Sequence, residues 1–126
     1  MADKWVLVVE DDVYIDKAYR AKFAHEQILA ESVGDGEAAL AILKNKSENL
    51  PSLVLLDMML PKKNGFEVLS EMKANPKWKT IPVIILSNLG QESDAQKGLA
   101  LGAVEYLVKA DTKINTIVEK VRSYLR

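Results

Sequence analysis

Cysteine is absent from this 126-residue chain. That excludes disulfides, thiolate metal sites and thiol catalysis, and it fits a reducing compartment. Charge of one sign is also lacking: Lys and Arg total 17 against 18 Asp and Glu. Without a long-range field to grip nucleic acid or an anionic membrane, no direct nucleic-acid contact and no membrane insertion are expected. The first apolar run is too short for a signal peptide's apolar core and runs straight into Glu10-Asp11-Asp12, so it is uninformative for export and a cytoplasmic location is expected. A phosphate-cradling loop is missing too, since Gly34-Asp35-Gly36 has neither the longer spacing nor the Lys-Ser/Thr ending. The one histidine, His25, lies in the polar stretch Ala24-His25-Glu26-Gln27 and reads as a surface residue. No internal repeat, low-complexity tract or linker interrupts the chain.

What is present is an ordinary core in a single domain spanning 1–126. Hydrophobic residues make up 48% and charged residues 28%, and a chain of this length can bury roughly two-thirds of its unfolded surface. Three short apolar runs, Trp5 to Val9, Leu53 to Leu56 and Ile81 to Leu86, are too short for helices. Their continuous apolarity predicts strands covered on both faces, as in a parallel sheet. Weaker strands near Ile28 to Val33 and Ala103 to Val108 bring the set to five.

Helical periodicity follows each strand. Ile114, Ile117, Val118, Val121 and Leu125 draw one apolar stripe on a closing helix. Ile15, Tyr19 and Phe23 do the same after the first strand, and Val68, Leu69 and Met72 after the third. Asn64 and Glu67 stand at capping-box spacing, Asp35 precedes a second helix as its cap, and Gly102 ends the fourth. Lys44 to Ser52 and Asn75 to Thr80 read as connections, with Trp78 packing over a strand end. Five βα units predict a right-handed, doubly wound α/β sheet with helices on both faces.

In such a sheet ligands bind beyond the carboxyl ends of the strands. The first strand ends in Glu10-Asp11-Asp12, the third in Asp57, the fourth in Ser87 and the fifth in Lys109. Asp12 suits a helix cap. Glu10 and Asp11 beside Asp57 are harder to explain structurally, because two carboxylates roughly 4 Å apart repel by about 4 kcal/mol at an effective dielectric of 20. A hard divalent cation relieves that repulsion, and Mg²⁺ characteristically combines one or two carboxylates with waters and a phosphate. Asp57 can act as a nucleophile that forms an aspartyl-phosphate. The cation, the Ser87 hydroxyl and the Lys109 ammonium would then neutralise the three equatorial oxygens. Ser87 as a plain strand-end hydroxyl and Lys109 as a surface lysine remain the structural alternatives.

Several motifs together resemble the receiver domains of bacterial response regulators, from about Lys4 to the end. They are Val8-Val9-Glu10-Asp11, Leu55-Leu56-Asp57-Met58-Met59-Leu60-Pro61 with Gly65, Leu86-Ser87, and Gly102-Ala103 leading to Tyr106-Leu107-Val108-Lys109. The resemblance implies a flavodoxin-like sheet with strand order 2-1-3-4-5 and five helices. It makes Asp57 the phosphoacceptor, with Ser87 and Lys109 assisting. Asp11 becomes a direct ligand of Mg²⁺, with Mn²⁺ as the alternative ion, Glu10 binds directly or through water, and the Met59 carbonyl completes the protein ligands. Ser87 and Tyr106 become the switch that couples phosphorylation to the face of the fourth helix, fifth strand and fifth helix, although Tyr106 also suits ordinary packing. The implied partners are a sensor histidine kinase or histidine phosphotransfer protein and a downstream protein target; the domain catalyses only its own phosphorylation and dephosphorylation.

Two positions depart from the family pattern. Lys109-Ala110 stands where Lys-Pro with a cis bond is usual, and a non-proline cis bond costs about 3–4 kcal/mol, so a trans bond in a reshaped loop is expected. Asn88 is larger than the small residue usual after the hydroxyl position and is expected to alter dephosphorylation. These departures motivate a second reading, a pseudo-receiver that binds partners without phosphate. A third, a Mg²⁺-dependent phosphohydrolase, lacks a second acid two residues after Asp57.

Overall fold

The computed structural model describes residues 3–126. Five strands alternate with five helices: β1 (Val6–Val9), α1 (Val13–His25), β2 (Ala30–Val33), α2 (Gly36–Asn45), β3 (Leu53–Leu56), α3 (Gly65–Ala74), β4 (Val83–Ser87), α4 (Glu92–Ala100), β5 (Glu105–Val108) and α5 (Ile114–Leu125). All strand pairs are parallel, in the order β2-β1-β3-β4-β5. The α/β architecture and order match the expectation.

The apolar runs are continuous because each central strand feeds two cores. Leu7, Val9, Val54, Leu56, Val83 and Ile85 pack with α2 and α3, including Leu43, Leu69 and Met72. Their neighbours Val6, Val8, Leu53, Leu55, Ile84 and Leu86 pack on the opposite face with Tyr19, Phe23, Ile117 and Val121 of α1 and α5. Side chains alternate across a strand, so residues one apart reach opposite cores. Trp78 is buried in the first core, and the Trp5 indole donates to the Asn49 carbonyl at 2.9 Å.

Local signals place the helix ends. The Asp12 side chain accepts from the Tyr14 and Ile15 amides, and Asp35 accepts from the Ala38 amide. Asn64 and Glu67 form the reciprocal capping box. Gly102 adopts φ +111° just past α4, a backbone region that favours glycine. Some boundaries differ from the sequence reading. The Ile28 amide bonds the Phe23 carbonyl and closes α1, so β2 begins at Ala30. Helix α2 runs on through Asn45 into the expected loop. Among the described residues no helix is long and apolar enough to cross a membrane.

Candidate functional site

The chain order 2-1-3 makes the β1/β3 junction the point where crossovers leave for opposite faces, and a crevice opens there at the strand ends. Both acids at that junction still belong to the ladder through their amides. Glu10 donates to the Val33 carbonyl at 3.0 Å and Asp57 to the Val9 carbonyl at 3.1 Å. Each side chain therefore leaves the sheet at a fixed height. Glu10, Asp57 and Ser87 are buried polar residues, whereas Asp11 is exposed.

Asp57 is gripped on both oxygens. The Ser87 hydroxyl donates to Oδ1 at 2.9 Å and the Met59 amide to the same atom at 3.1 Å. Lys109 Nζ donates to Oδ2 at 2.8 Å and also to Glu10 Oε1. Lys109 is thus no snorkelling surface lysine: its side chain is 9% exposed. The Lys109-Ala110 bond is trans, as expected without proline, and no peptide among the described residues is cis. The chain after Lys109 forms a short 3-10 turn over Lys109–Asp111, which the Thr112 hydroxyl closes by donating to the Val108 carbonyl at 2.8 Å.

The electrostatics separate the acids. Burial pushes the Glu10 carboxyl up to about 7, with Asp57 adding to the shift and Lys109 opposing it. Burial also pushes Asp57 upward, but the hydrogen bonds with Lys109, Glu10 and the Met59 amide outweigh it and hold Asp57 below its ordinary value. The result is an ionised Asp57 beside a Glu10 that readily takes a proton. Burial would lower Lys109, but its bonds to Asp57 and Glu10 raise it.

The residues fit a divalent cation. Glu10, Asp11 and Asp57 each offer one oxygen, all within 4.8 Å of one another. Three carboxyl groups share the site with one ammonium, so a cation there would offset negative charge that Lys109 alone does not balance. Glu10 Oε2 is also buried without a hydrogen-bond partner from the protein, and such an oxygen is costly unless a cation or donor meets it. The loop carrying Met59 is fixed by the Gly65 amide, which donates to the Met58 carbonyl at 2.9 Å. A Cβ at Gly65 would lie 2.2 Å from the Asp57 carbonyl oxygen, so only glycine permits this approach.

Of the expected residues Glu10, Asp11, Asp57, Ser87 and Lys109 meet here, Asp12 caps α1, and Tyr106 stands apart. Its hydroxyl donates to the Leu89 carbonyl at 2.6 Å, two residues beyond Ser87. Asn88 is exposed beside Ser87. The sequence reading missed Tyr19, treated as part of an apolar stripe although its residue lines a small cavity with Glu10, Asp57 and Lys109.

Comparison with known proteins agrees with this geometry. The model for the response regulator receiver domain matches residues 6–122. The response regulator Rcp1 of Synechocystis sp. is 37% identical over 116 residues, covering 85% of this chain and 77% of the relative. The transcriptional regulatory protein CpxR of Klebsiella pneumoniae is 36% identical over 121 residues, covering 96% of this chain and 49% of the relative. The chain spans about half the length of the curated transcriptional regulators that it matches. The solved structure of the Mn²⁺-bound form of Rcp1 is similar with a TM-score of 0.82 at 34% identity, covering 95% of this chain and 92% of that one. Strand order, strand-end residues and a match across nearly the whole sheet lead to one conclusion: the chain belongs to the response regulator receiver domains of two-component signalling.

Proposed function

We propose that residues 1–126 act as one receiver domain that takes a phosphoryl group onto Asp57 from a phosphohistidine on a sensor kinase or phosphotransfer protein. One observation carries the reading: an ionised Asp57 held between a buried hydroxyl at 2.9 Å and a buried ammonium at 2.8 Å, with two further carboxylates alongside. An Asp57 carboxylate oxygen attacks phosphorus, the N–P bond breaks, and the imidazole departs with its electron pair. Ser87 and Lys109 then turn from the carboxylate to the phosphoryl oxygens, which carry the negative charge. Asp11, Glu10, Asp57 and the Met59 carbonyl would hold Mg²⁺, or Mn²⁺ in its place, and the bound ion would neutralise charge on the acids and the transferring group.

The switch follows from the same bonds. Ser87 leaving Asp57 Oδ1 draws on the segment Ser87-Asn88-Leu89, whose Leu89 carbonyl holds the Tyr106 hydroxyl. Phosphorylation is thereby felt along β5 and on the face formed with α4 and α5, where a downstream protein would dock. The pseudo-receiver alternative rests on Ala110 and Asn88, and the first of these grounds weakens with the ammonium at hydrogen-bond distance from Asp57.

Incubation with acetyl phosphate and Mg²⁺, followed by inorganic phosphate release, separates the readings. A receiver releases about one equivalent per slow cycle of phosphorylation and decay. A chain without phosphate chemistry releases none above background, and sustained fast turnover indicates a phosphohydrolase.

A further inference from the structure

A cavity of about 10 Å³ borders Lys109, with Glu10, Asp57 and Tyr19 as its other polar walls and Leu55 and Leu86 among the apolar ones. Tyr19 is the residue there that neither the phosphoacceptor nor the cation reading uses. Helical side chains lean toward the helix N-terminus, and α1 starts directly after Glu10-Asp11-Asp12. Tyr19 reaches that cavity from α1, while its ring packs in the core against Phe23, with centroids 6.4 Å apart. The charges of Lys109, Glu10 and Asp57 are all felt at that hydroxyl, whose proton affinity burial raises.

The hydrogen bonds of the site leave matching gaps. Lysine has three N–H donors, and Lys109 commits two, to Glu10 Oε1 and Asp57 Oδ2. Glu10 Oε2 is buried with no protein partner. The bonds among Ser87, Met59, Lys109, Glu10 and Asp57 do not include the Tyr19 hydroxyl. The cavity is about one water in size and its largely apolar wall carries four polar residues, and a buried water needs two to four polar partners.

We propose that Tyr19 is a positioning residue for Lys109: one water in this cavity, shared by the Tyr19 hydroxyl, the Lys109 ammonium and Glu10, fixes the lysine's direction toward Asp57. The water takes the third N–H of Lys109 and donates to Glu10 Oε2 or to the tyrosine oxygen. Lys109 can then exchange a carboxylate for a phosphoryl oxygen without losing its anchor. This inference rests on the phosphoacceptor reading of Asp57 given above.

The test is a double-mutant cycle on the rate of phosphorylation by acetyl phosphate with excess Mg²⁺, using wild type, Tyr19→Phe, Lys109→Gln and the double variant. Tyr19→Phe keeps the ring and its packing, so its melting temperature should stay near that of wild type. Its rate should fall about tenfold, the scale of one hydrogen bond to a charged group. In the Lys109→Gln background the same change should cost little, because the hydroxyl acts through the lysine. An unchanged rate in Tyr19→Phe, or an equal loss in both backgrounds, overturns the inference. A wild type that takes no phosphoryl group removes the phosphoacceptor reading and this inference with it, whereas a normal wild type with a normal Tyr19→Phe removes only the inference.

Discussion

Replacing Asp11 by asparagine should reverse the order of stability between metal-free and Mg²⁺-loaded protein. The Asp11 carboxylate offers an oxygen within 4.8 Å of oxygens of both Glu10 and Asp57. At that distance two unit charges repel by about 3.5 kcal/mol at an effective dielectric of 20. Asp11 is exposed, so solvent screens most of this, and the relief on neutralising it should be nearer about 1 kcal/mol. For a domain of this length that raises the melting temperature by roughly 3–5 °C. With Mg²⁺ the order changes. Wild type at a free concentration ten times Kd gains about 1.4 kcal/mol by mass action, while Asp11→Asn, with one carboxylate fewer for the ion, gains much less. The assay is a pair of thermal melts for each protein, in chelator and in excess Mg²⁺. Asp11→Asn should melt above wild type in chelator and respond weakly to Mg²⁺. A variant that melts below wild type in chelator, or gains as much from Mg²⁺, refutes the reasoning about charge.

Three further outcomes follow from the same geometry. Ser87→Ala removes the buried donor to Asp57 Oδ1 and should cost the metal-free protein about 1.5–3 kcal/mol; urea midpoints equal to wild type would mean that the bond contributes nothing. Gly65→Ala places a Cβ 2.2 Å from the Asp57 carbonyl oxygen and 2.6 Å from Met58 Cα, so the loop bearing Met59 must shift and the Mg²⁺-induced rise in melting temperature should be lost; a full response would separate that loop from the cation site. Metal-free wild type should lose stability as pH rises from about 4.5 to about 7. Below that window Glu10 is protonated both folded and unfolded, and above it ionised in both, but within it only the folded chain, whose carboxyl is pushed up to about 7, keeps the proton. Asp57, held below its ordinary value of 3.8, acts with the opposite sign at lower pH. Urea midpoints in chelator that rise across the window would contradict the assignment of Glu10.

Much of this was readable from residue order because the physics was local. Continuous apolar runs follow from burial on both sheet faces, and Asp12, Asp35, Asn64 and Gly102 act at helix ends through atoms a few residues away. The convergence of Glu10, Asp57, Ser87 and Lys109 was equally legible, since parallel strands put all their carboxyl ends on one edge. What sequence could not supply was partner choice. Lys109 pairs with Glu10 across 99 positions as well as with Asp57, and nothing in a Lys-Ala dipeptide specifies that reach without proline. Tyr19 was hidden for a related reason: its ring satisfies the α1 stripe, and only three-dimensional packing shows that the residue also reaches the acid cavity. Strand starts were blurred where an apolar residue such as Ile28 closes a helix rather than joining the sheet.

The central claim is that Asp57 carries the phosphoryl group. Treatment of wild type and Asp57→Asn with acetyl phosphate and Mg²⁺, followed at once by intact-mass and peptide-level mass spectrometry, tests it most directly. Wild type should carry one labile phosphoryl adduct per chain, on the peptide containing Asp57, absent from Asp57→Asn and abolished by chelator. No adduct on wild type, or an equal adduct on the variant, would contradict it.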